Sequence, residues 1–417
     1  MRILLVTSMV PQAEGAGAIP ILLHAQLQGL REHHEVTLVT AVGDERGEAE
    51  AAAQLVDSGF DAHFADRRQP RSATGRWRRR ARLATAWLRG RHWRAVWFAD
   101  PGVQAILDRL AATSDFDIAV VEDSAMSGYQ LPAGVTSILT EHEVLRPRAV
   151  DWHPGPPSKW PSWVIGEIDW RRRPRFQRAA WGRFDRVLVF GRRDAETIAE
   201  LAPEVAARTR VSPFGLDLPP QANPAREQAG TVLFVGNFTH QPNRDAATWL
   251  AREIMPMVLE RRPEAQLRIV GSNPPPEVLA LASPSVEVFP DAPNVESHLE
   301  EAAVVVAPVR TGGGMRMKVL QAIAAGKAAV TTARGAEGFD VFEPDPPLRI
   351  ADSSAEIADA VSDLLDDPAQ RRELGRQARA FAERHHSPSA WAKRLEAVYE
   401  EAREIPQSRP EAAGHSG

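Results

Sequence analysis

The stretch "GGGMRMKVLQAIAAGKAAVTT", residues 312–332, is a glycine-rich turn followed by an amphipathic helix. Three glycine amides before a helix N-terminus, where the helix dipole favours negative charge, predict an anion site. The pair Gly326-Lys327 is similar to the end of the familiar phosphate loop, which needs a glycine five residues before this pair and a Ser or Thr after it. Gln321 and Ala328 occupy those two positions. The stretch is therefore a different kind of anion turn.

Length and composition limit the class of protein. A chain of 417 residues is too long for one compact core and suits two domains. Hydrophobic residues make up 43% of it and charged residues 25%, as in soluble globular proteins. No apolar run reaches the length of a membrane span, and residues 1–25 lack the layout of a secretory signal. The absence of cysteine excludes disulfides and thiolate chemistry, so the cytoplasm is the expected compartment.

The first half of the chain alternates short apolar runs with a helical pattern. This alternation predicts a parallel sheet with helices on both faces. A Pro-, Gly- and Asn-containing stretch at 213–230 is predicted to be a linker. The predicted strands are 2–8, 35–42, 117–122, 136–140 and 186–190, and a helix is predicted at 19–32.

The same pattern restarts after the linker, which predicts a second doubly wound domain facing the first across a cleft. In such folds ligands bind at the carboxyl ends of the strands. The tail, 405–417, has the composition of a disordered segment. The predicted strands are 231–235, 266–270, 286–289, 303–307 and 328–332, and the predicted helices are 245–262, one that ends at 325, 355–366, 368–385 and 388–404.

Three stretches give the chain a resemblance to a known family: "TVLFVGNFTHQPNRDAATWLAREIMPMV" from 231, "APVRTGGGMRMKVLQAIAAGKAAVTTARGAEGF" from 307, and "RFDRVLVFGRRDAETI" from 183. Their order and spacing resemble the GT-B nucleotide-sugar glycosyltransferases, specifically the GGG-type branch of retaining family 4 (glycosyltransferase group 1), over nearly the whole chain. The resemblance implies an α/β GT-B fold. Its parts would be an acceptor-binding Rossmann-like domain at 1–212, the linker 213–230 and a donor-binding domain at 231–387. A C-terminal helix at 388–404 would follow, and in one arrangement this helix crosses back to the first domain.

The resemblance also implies an activity. Such enzymes move a sugar from a nucleotide-sugar donor to an acceptor hydroxyl with retention of configuration. The abundance of Ala, Arg and Pro suggests a GC-rich bacterial genome, where this chemistry builds polysaccharides, glycolipids or glycosylated natural products. No metal motif is evident, and no cofactor is expected besides the nucleotide-sugar co-substrate.

By this resemblance the donor diphosphate would lie on the amides of Gly312, Gly313 and Gly314. Arg316 and Lys318, in the first turn of the helix, would neutralise the leaving diphosphate. The helix dipole disfavours cations at a helix N-terminus, so two of them there indicate an anion. The alternative is that both are solvated charges.

One position departs from the family. Its members usually carry two glutamates eight positions apart, the second of which holds the ribose hydroxyls, and here the matching residues are Gly313 and Gln321. An amide accepts from the ribose less strongly than a carboxylate does. Two alternatives therefore stay open. Gln321 is a surface residue without a ribose contact, or the protein is a non-catalytic relative that binds nucleotide or stabilises an active transferase.

Further donor contacts are expected in two loops of the second domain. The loop that follows the strand 231–235 supplies Gly236, Asn237 and His240, whereas Asn243 is expected to be a cap or turn residue. The loop that contains Asp291, after the strand 286–289, would read the nucleobase through its backbone.

The first domain is expected to contribute a histidine near the reacting sugar. His142, with Glu141 beside it, follows an apolar strand at the predicted cleft. The loop after the first strand supplies Gly15 and Gly17, which would let the backbone approach donor or acceptor. A dinucleotide fingerprint in this loop is disfavoured, because Pro20 replaces its third glycine.

A basic stretch, residues 67–97, interleaves arginines with four tryptophans. Three interpretations are open: a solvated basic face with buried tryptophans, a helical region that contacts an anionic membrane surface, and a contact for nucleic acid. Nucleic acid is the least favoured of the three.

Overall fold

The computed structural model describes residues 1–13, 17–44, 47–68, 73–144, 162–292 and 295–404. Gly15, one of the predicted site residues, and the tail 405–417 lie outside the described residues.

The first sheet has seven strands, all parallel. They are β1 (Arg2–Val6), β2 (Glu35–Val42), β3 (Asp61–Asp66), β4 (Ile118–Glu122), β5 (Thr136–Thr140), β6 (Arg186–Val189) and β7 (Thr209–Val211). Their spatial order is β3-β2-β1-β4-β5-β6-β7. The chain thus winds outward in both directions from β1, which creates a crevice at the carboxyl ends of β1 and β4.

Eight helices are described around this sheet: α1 (Ala18–Arg31), α2 (Glu48–Asp57), α3 (Ala73–Leu88), α4 (Trp93–Phe98), α5 (Pro101–Thr113), α6 (Ser162–Trp181), α7 (Arg192–Leu201) and α8 (Pro203–Ala206). The five predicted strands are present, two of them with the predicted bounds and three that differ at one end. The two edge strands, β3 and β7, were not predicted, because only one of the six side chains of β3 and none of the three of β7 is buried, so their apolar patterns are weak.

The second sheet repeats this topology with six parallel strands. They are β8 (Thr231–Val235), β9 (Gln266–Gly271), β10 (Val286–Pro290), β11 (Val304–Ala307), β12 (Ala328–Thr331) and β13 (Arg349–Ile350). Their order is β10-β9-β8-β11-β12-β13, so the second crevice lies at the carboxyl ends of β8 and β11.

The helices of this half are α9 (Gln241–Trp249), α10 (Met255–Arg261), α11 (Pro276–Leu279), α12 (Glu296–Glu301), α13 (Met317–Ala324), α14 (Ser354–Asp366), α15 (Pro368–His386) and α16 (Pro388–Arg403). A π-helical turn, Leu250–Ile254, joins α9 to α10. The predicted start of this helix at Asp245 is wrong, because Pro242 is accommodated in the first turn, where its missing N–H costs nothing, and α9 therefore begins at Gln241.

The C-terminal helix α16 returns to the first domain and packs on α1. The two helices approach so closely that a Cβ on Gly29 would lie 2.6 Å from the carbonyl oxygen of Pro388. Trp391, Leu395 and Tyr399 of α16 are buried at this contact. The predicted fold class is thus confirmed: two doubly wound domains, with the C-terminal helix crossing back.

Across the cleft, the glycine turn after β11 touches the loop after β5. A Cβ on Gly314 would lie 2.8 Å from the carbonyl oxygen of His142, and one on Gly313 would lie 3.1 Å from that of Val144. Gly314 also has a φ of 72°, which residues with a side chain rarely adopt. Glycine at these positions lets the two halves of the cleft meet.

Candidate functional site

The glycine turn is organised around the guanidinium of Arg316. This residue is the N-cap of α13, one position before the first turn in which it was predicted. Its Nη2 donates to the carbonyl oxygens of Gly312, at 2.9 Å, and Thr311, at 3.5 Å. Its Nη1 donates to the carbonyl oxygen of Gly313. Arg316 therefore satisfies three successive carbonyl groups of the turn.

This arrangement directs the amide groups of the turn away from Arg316. A trans peptide points its N–H opposite to its C=O, so the N–H groups of Gly312, Gly313 and Gly314 face the other side of the turn. Within the described part of the chain, none of these three groups donates a hydrogen bond. Three aligned donors of this kind form an anion-binding concavity.

Acidic side chains from both domains surround Arg316. Burial acts to lower the pKa of its guanidinium, while Glu337, Glu143 and Asp194 act to raise it, and the pKa is lowered on balance. Burial, followed by the nearby Glu337, raises the pKa of Asp194 to about 7. Glu337 itself accepts from Arg193 of the first domain at 3.1 Å. The turn therefore lies among positively and negatively charged side chains that come from both domains.

Lys318, the second residue of α13, is half-buried beside the turn. Its ammonium donates to Asn243 Oδ1 at 2.5 Å and lies 4.6 Å from the centre of the Phe234 ring. Burial, followed by repulsion from Arg316, lowers its pKa to about 7. No carboxylate within the described ranges acts to raise that pKa. A desolvated cation with no anionic partner is suited to receive an anion.

Asn243 has a larger role than was predicted for it. It lies within the first turn of α9, where its Nδ2 donates to the backbone oxygen of Asn237 at 2.6 Å while its Oδ1 accepts from Lys318. The N-cap of this helix is His240. Asn243 therefore links the loop after β8 to the ammonium of Lys318, and the expectation of a cap or turn residue is corrected.

The loop after β8 brings its three predicted residues to the same edge of the cleft. Gly236 directly follows β8, and a Cβ there would lie 3.2 Å from the side chain of Asn243. Asn237 Oδ1 accepts from the backbone and hydroxyl of Thr239, which fixes the turn. Partial burial of the His240 ring and the nearby Lys318 lower its pKa, whereas Glu143 of the first domain acts to raise it.

The loop after β10 contains Asp291, which adopts a φ of 50°. Its Oδ1 accepts from the backbone N–H of Asn273 at 2.8 Å, and its own N–H donates to the carbonyl oxygen of Gly271. The loops after β9 and β10 are thereby joined at the carboxyl end of the second sheet. The Asp291 side chain is used to hold this backbone.

On the first-domain side, His142 is anchored to a buried glutamate. Its Nε2 lies 2.7 Å from Oε2 of Glu122, the last residue of β4. Burial alone would lower the pKa of His142, but Glu122 and, more weakly, Asp123 and Glu141 raise it on balance. The imidazole packs edge-on against Phe190 at 5.5 Å. Its backbone carbonyl contacts the glycine turn.

Sequence reasoning missed most of the polar network behind this histidine. Glu141 accepts from Trp181 Nε1 at 2.8 Å and from Ser124 Oγ at 3.3 Å, and burial, followed by Asp123, raises its pKa to about 7. Asp123 accepts from Arg94 at 2.7 Å, an ion pair that helps to lower the pKa of Asp123. The available signal was the acidic pair that ends the apolar run of β4.

Two predicted residues stand apart from this cluster. Gly17 has a φ of 130° and is the N-cap of α1, which begins at the carboxyl end of the first sheet. Gln321 lies in the middle of α13 and is half-buried, and its backbone oxygen accepts the N–H of Ala325.

The basic stretch forms α3 and α4 on the rim of the first domain. The interpretation with buried tryptophans is wrong for Trp77 and Trp93, which are 71% and 47% exposed, and Leu88 is 73% exposed. α4 packs against residues 124–126, next to Asp123. This exposed apolar and basic surface therefore borders the first-domain side of the cleft.

Within the described ranges, no group of three or more His, Cys, Asp and Glu side chains is placed to hold a metal ion. The helices of the same ranges include none that is long and apolar enough to cross a membrane.

Comparison with known proteins links the second domain to a sequence family. Residues 229–367 match the family model described as "Glycosyl transferases group 1". This range contains β8 to β13, the glycine turn and α13, that is, the whole second-domain part of the site. A search of curated proteins found no match to the chain.

Solved structures match the chain over almost its whole length. The N-terminal domain of Candida albicans trehalose-6-phosphate phosphatase superposes with a TM-score of 0.64 at 13% identity, covering 97% of both chains. Anabaena HepE, in complex with UDP and glucose, gives 0.63 at 12%, covering 96% of this chain and 100% of that one. Sucrose-phosphate synthase from Thermosynechococcus elongatus gives 0.63 at 16%, covering 96% and 99%. The fold is that of the GT-B glycosyltransferases.

Proposed function

We propose that this protein is a glycosyltransferase that moves a sugar from a nucleotide-sugar donor to an acceptor hydroxyl with retention of configuration and without a metal ion. The donor would bind to the second domain, with its diphosphate on the amides of Gly312, Gly313 and Gly314. The acceptor would approach from the first domain, on the side of His142. Bacterial polysaccharide, glycolipid or natural-product glycosylation is the proposed setting.

The ammonium of Lys318 is the observation that carries this proposal. It lies beside a turn with three outward amide donors, its described partner is the neutral Asn243, and burial lowers its pKa to about 7. Such a cation is costly to hold unless an anion neutralises it. A diphosphate on the turn would receive three amide hydrogen bonds and this charge together.

The same arrangement suits departure of a nucleoside diphosphate. Negative charge on the leaving diphosphate grows as the glycosidic bond breaks, and donors that are already oriented stabilise that charge without reorganisation. The helix dipole of α13 adds to this effect at its N-terminus. This charge stabilisation does not require a divalent ion.

A donor screen in the presence of EDTA tests the proposed function. The purified protein is incubated with a panel of nucleotide sugars, and release of nucleoside diphosphate is measured without and with candidate acceptors. We expect slow donor hydrolysis that EDTA leaves intact, and a transfer product whose anomeric configuration, read by NMR coupling constants, equals that of the donor. Tight nucleotide binding with no hydrolysis or transfer would favour a non-catalytic, nucleotide-binding relative.

Nucleoside diphosphates should stabilise the protein against heat. Because such a ligand binds the folded state alone, at about 100 times its dissociation constant it adds roughly 2.7 kcal/mol to the free energy of unfolding. Differential scanning fluorimetry should show a rise in melting temperature for a diphosphate and a smaller one for the matching monophosphate, which engages fewer donors. Equal shifts for the two nucleotides, or none, would contradict the diphosphate site.

Nucleotide binding should take up a proton above pH 7. Lys318 has a pKa of about 7 in the free protein, so it is largely neutral at pH 8, and a bound diphosphate would raise its pKa and recharge it. Affinity should therefore fall as pH rises through 7 to 8. Calorimetry in two buffers of different ionisation enthalpy measures the uptake. Asp194, whose pKa is also about 7, would contribute to it, so Lys318→Met should remove only part of the uptake.

We also propose that α3 and α4 contact an anionic membrane surface. Exposed Trp77, Leu88 and Trp93 alternate there with exposed arginines, a composition suited to the interface of anionic lipid. Co-sedimentation should show binding to vesicles that contain phosphatidylglycerol but not to pure phosphatidylcholine. Trp77→Ala should weaken it, and Val56→Ala, at an exposed apolar residue of α2, should not. Equal binding to both kinds of vesicle would refute the proposal.

A further inference from the structure

A line of polar side chains runs from the C-terminal helix to His142. Tyr399 on α16, Gln26 on α1 and Glu122 at the end of β4 are each at most 1% exposed. Gln26 Nε2 donates to Glu122 Oε1 at 2.8 Å, and His142 Nε2 lies 2.7 Å from Glu122 Oε2. Most polar groups this deep in a core are hydrogen-bonded.

The chemistry of Glu122 fixes the direction of each bond. Thr140 Oγ1 donates to its Oε1 at 2.9 Å, so Thr140, Gln26 and His142 converge on a carboxylate that can only accept. The Gln26 amide must therefore turn its nitrogen to Glu122 and its oxygen away. His142 must carry a proton on Nε2, which leaves Nδ1 as the nitrogen not bound to Glu122.

The far end of the line holds two buried atoms that lack a partner. Neither Gln26 Oε1 nor the Tyr399 hydroxyl makes a hydrogen bond in this conformation. They are neighbours all the same, because α16 packs on α1. Burial and then Glu122 raise the pKa of Tyr399, and Gln26 acts weakly to lower it. A phenol can donate to an amide oxygen, so Tyr399 is the group on α16 that is suited to extend the line beyond Gln26.

We propose that Tyr399, Gln26 and Glu122 are positioning residues for His142, so that the C-terminal helix α16 completes the site in the first domain. The side chain of His142 is then fixed from within the first domain while its backbone carbonyl contacts the glycine turn of the second. The effect on kcat that is expected from these residues rests on the proposed function, whereas the positioning of His142 does not.

The state of His142 can be followed without any substrate. Its titration is read in the ligand-free protein by NMR of ¹³C-labelled histidines, with the resonance assigned by its loss in His142→Asn. The charged groups that act on the imidazole are Glu122 at the end of β4, Asp123 directly after it, and Glu141 after β5. Glu122→Gln should lower the pKa of His142 by about one unit or more, because it loses its nearest carboxylate.

Changes farther along the line should act in the opposite direction. Gln26→Met removes a donor that competes for Glu122, so the pKa of His142 should rise, and Tyr399→Phe should cause a smaller rise by loosening Gln26. Because Tyr399 acts through Gln26, the double variant should match Gln26→Met alone. Under the proposed function, kcat of these variants should fall by up to about tenfold, with the donor KM unchanged. A tenfold fall corresponds to about 1.4 kcal/mol, which is the size of one neutral hydrogen bond.

Tyr129→Phe is the matched control, since these two are the only tyrosines of the chain. The Tyr129 hydroxyl donates to the oxygen of Phe98 and accepts from the N–H of Asp100. Its loss should lower the melting temperature without moving the His142 titration. A Tyr399→Phe variant with an unchanged His142 titration, or additive effects in the double variant, would overturn the proposal. An absence of transferase activity with the expected titrations would instead count against the proposed function.

Discussion

Lys318→Met should abolish the response to nucleoside diphosphate and at the same time make the ligand-free protein no less stable. Methionine keeps most of the length of the side chain but removes the ammonium that burial strains, so the folded state loses an unfavourable desolvated charge. The bound diphosphate loses its cation. We expect kcat/KM to fall on the order of 100- to 1000-fold, the effect of removing one preorganised charge-stabilising group.

The measurement combines steady-state kinetics with thermal melting in the presence and absence of nucleotide. Lys393→Met, at an exposed lysine of α16, is the matched control and should change neither quantity. Opposite signs for function and stability would identify Lys318 as a ligand-binding cation. A variant that keeps its nucleotide-dependent rise in melting temperature would remove the observation on which the proposed function depends.

Arg316→Ala should have an effect of similar size for a different reason. The structure places its guanidinium on the carbonyl oxygens of Thr311, Gly312 and Gly313, and not in the open cleft. Without it these acceptors lose their donor, and the turn loses the orientation of its amides. We expect kcat/KM to fall on the order of 100-fold or more, nucleotide affinity to fall with it, and stability to drop by about 1–3 kcal/mol.

Two further variants separate geometry from charge. Arg316→Lys keeps the charge but cannot donate to three carbonyl groups from one planar fork, so it should remain well below wild type. Arg310→Ala removes a cation from the same loop, where it pairs with Asp245 at the half-exposed edge, and should be nearly neutral. An Arg316→Lys variant with wild-type activity would show that charge alone is required.

The sequence by itself was sufficient for the central strands of the two sheets and for the glycine turn, but not for the edge strands β3, β7 and β13. The strands 35–42 and 136–140 were predicted with the bounds that the structure gives, because buried strands of a parallel sheet are continuous apolar runs. The turn at 312–314 was predicted from glycines before an amphipathic helix. Such local patterns reflect which face of one element is buried, and they need no knowledge of the remaining chain.

Local patterns were less informative where burial is partial. The edge strand β3 has acidic residues at both ends and little apolar surface, so it was missed. Asn243 was expected to be a cap or turn residue. Its link to Lys318 was missed because the two residues are 75 positions apart in the sequence. Arg316 was expected to face the diphosphate. Its contact with the carbonyl groups of the turn was missed, because that contact depends on the positive φ angles of Gly312 and Gly314.

The partners of His142 were decided by the tertiary structure alone. Gln26 and Glu122 are 96 positions apart, and Tyr399 comes from the other end of the chain, on the helix that packs against α1. A polar residue on a buried face carries no local sign of its partner. That partner is set by strand order, which places β4 beside β1 and β5, and by the return of α16 onto α1, a contact that depends on the whole fold being formed.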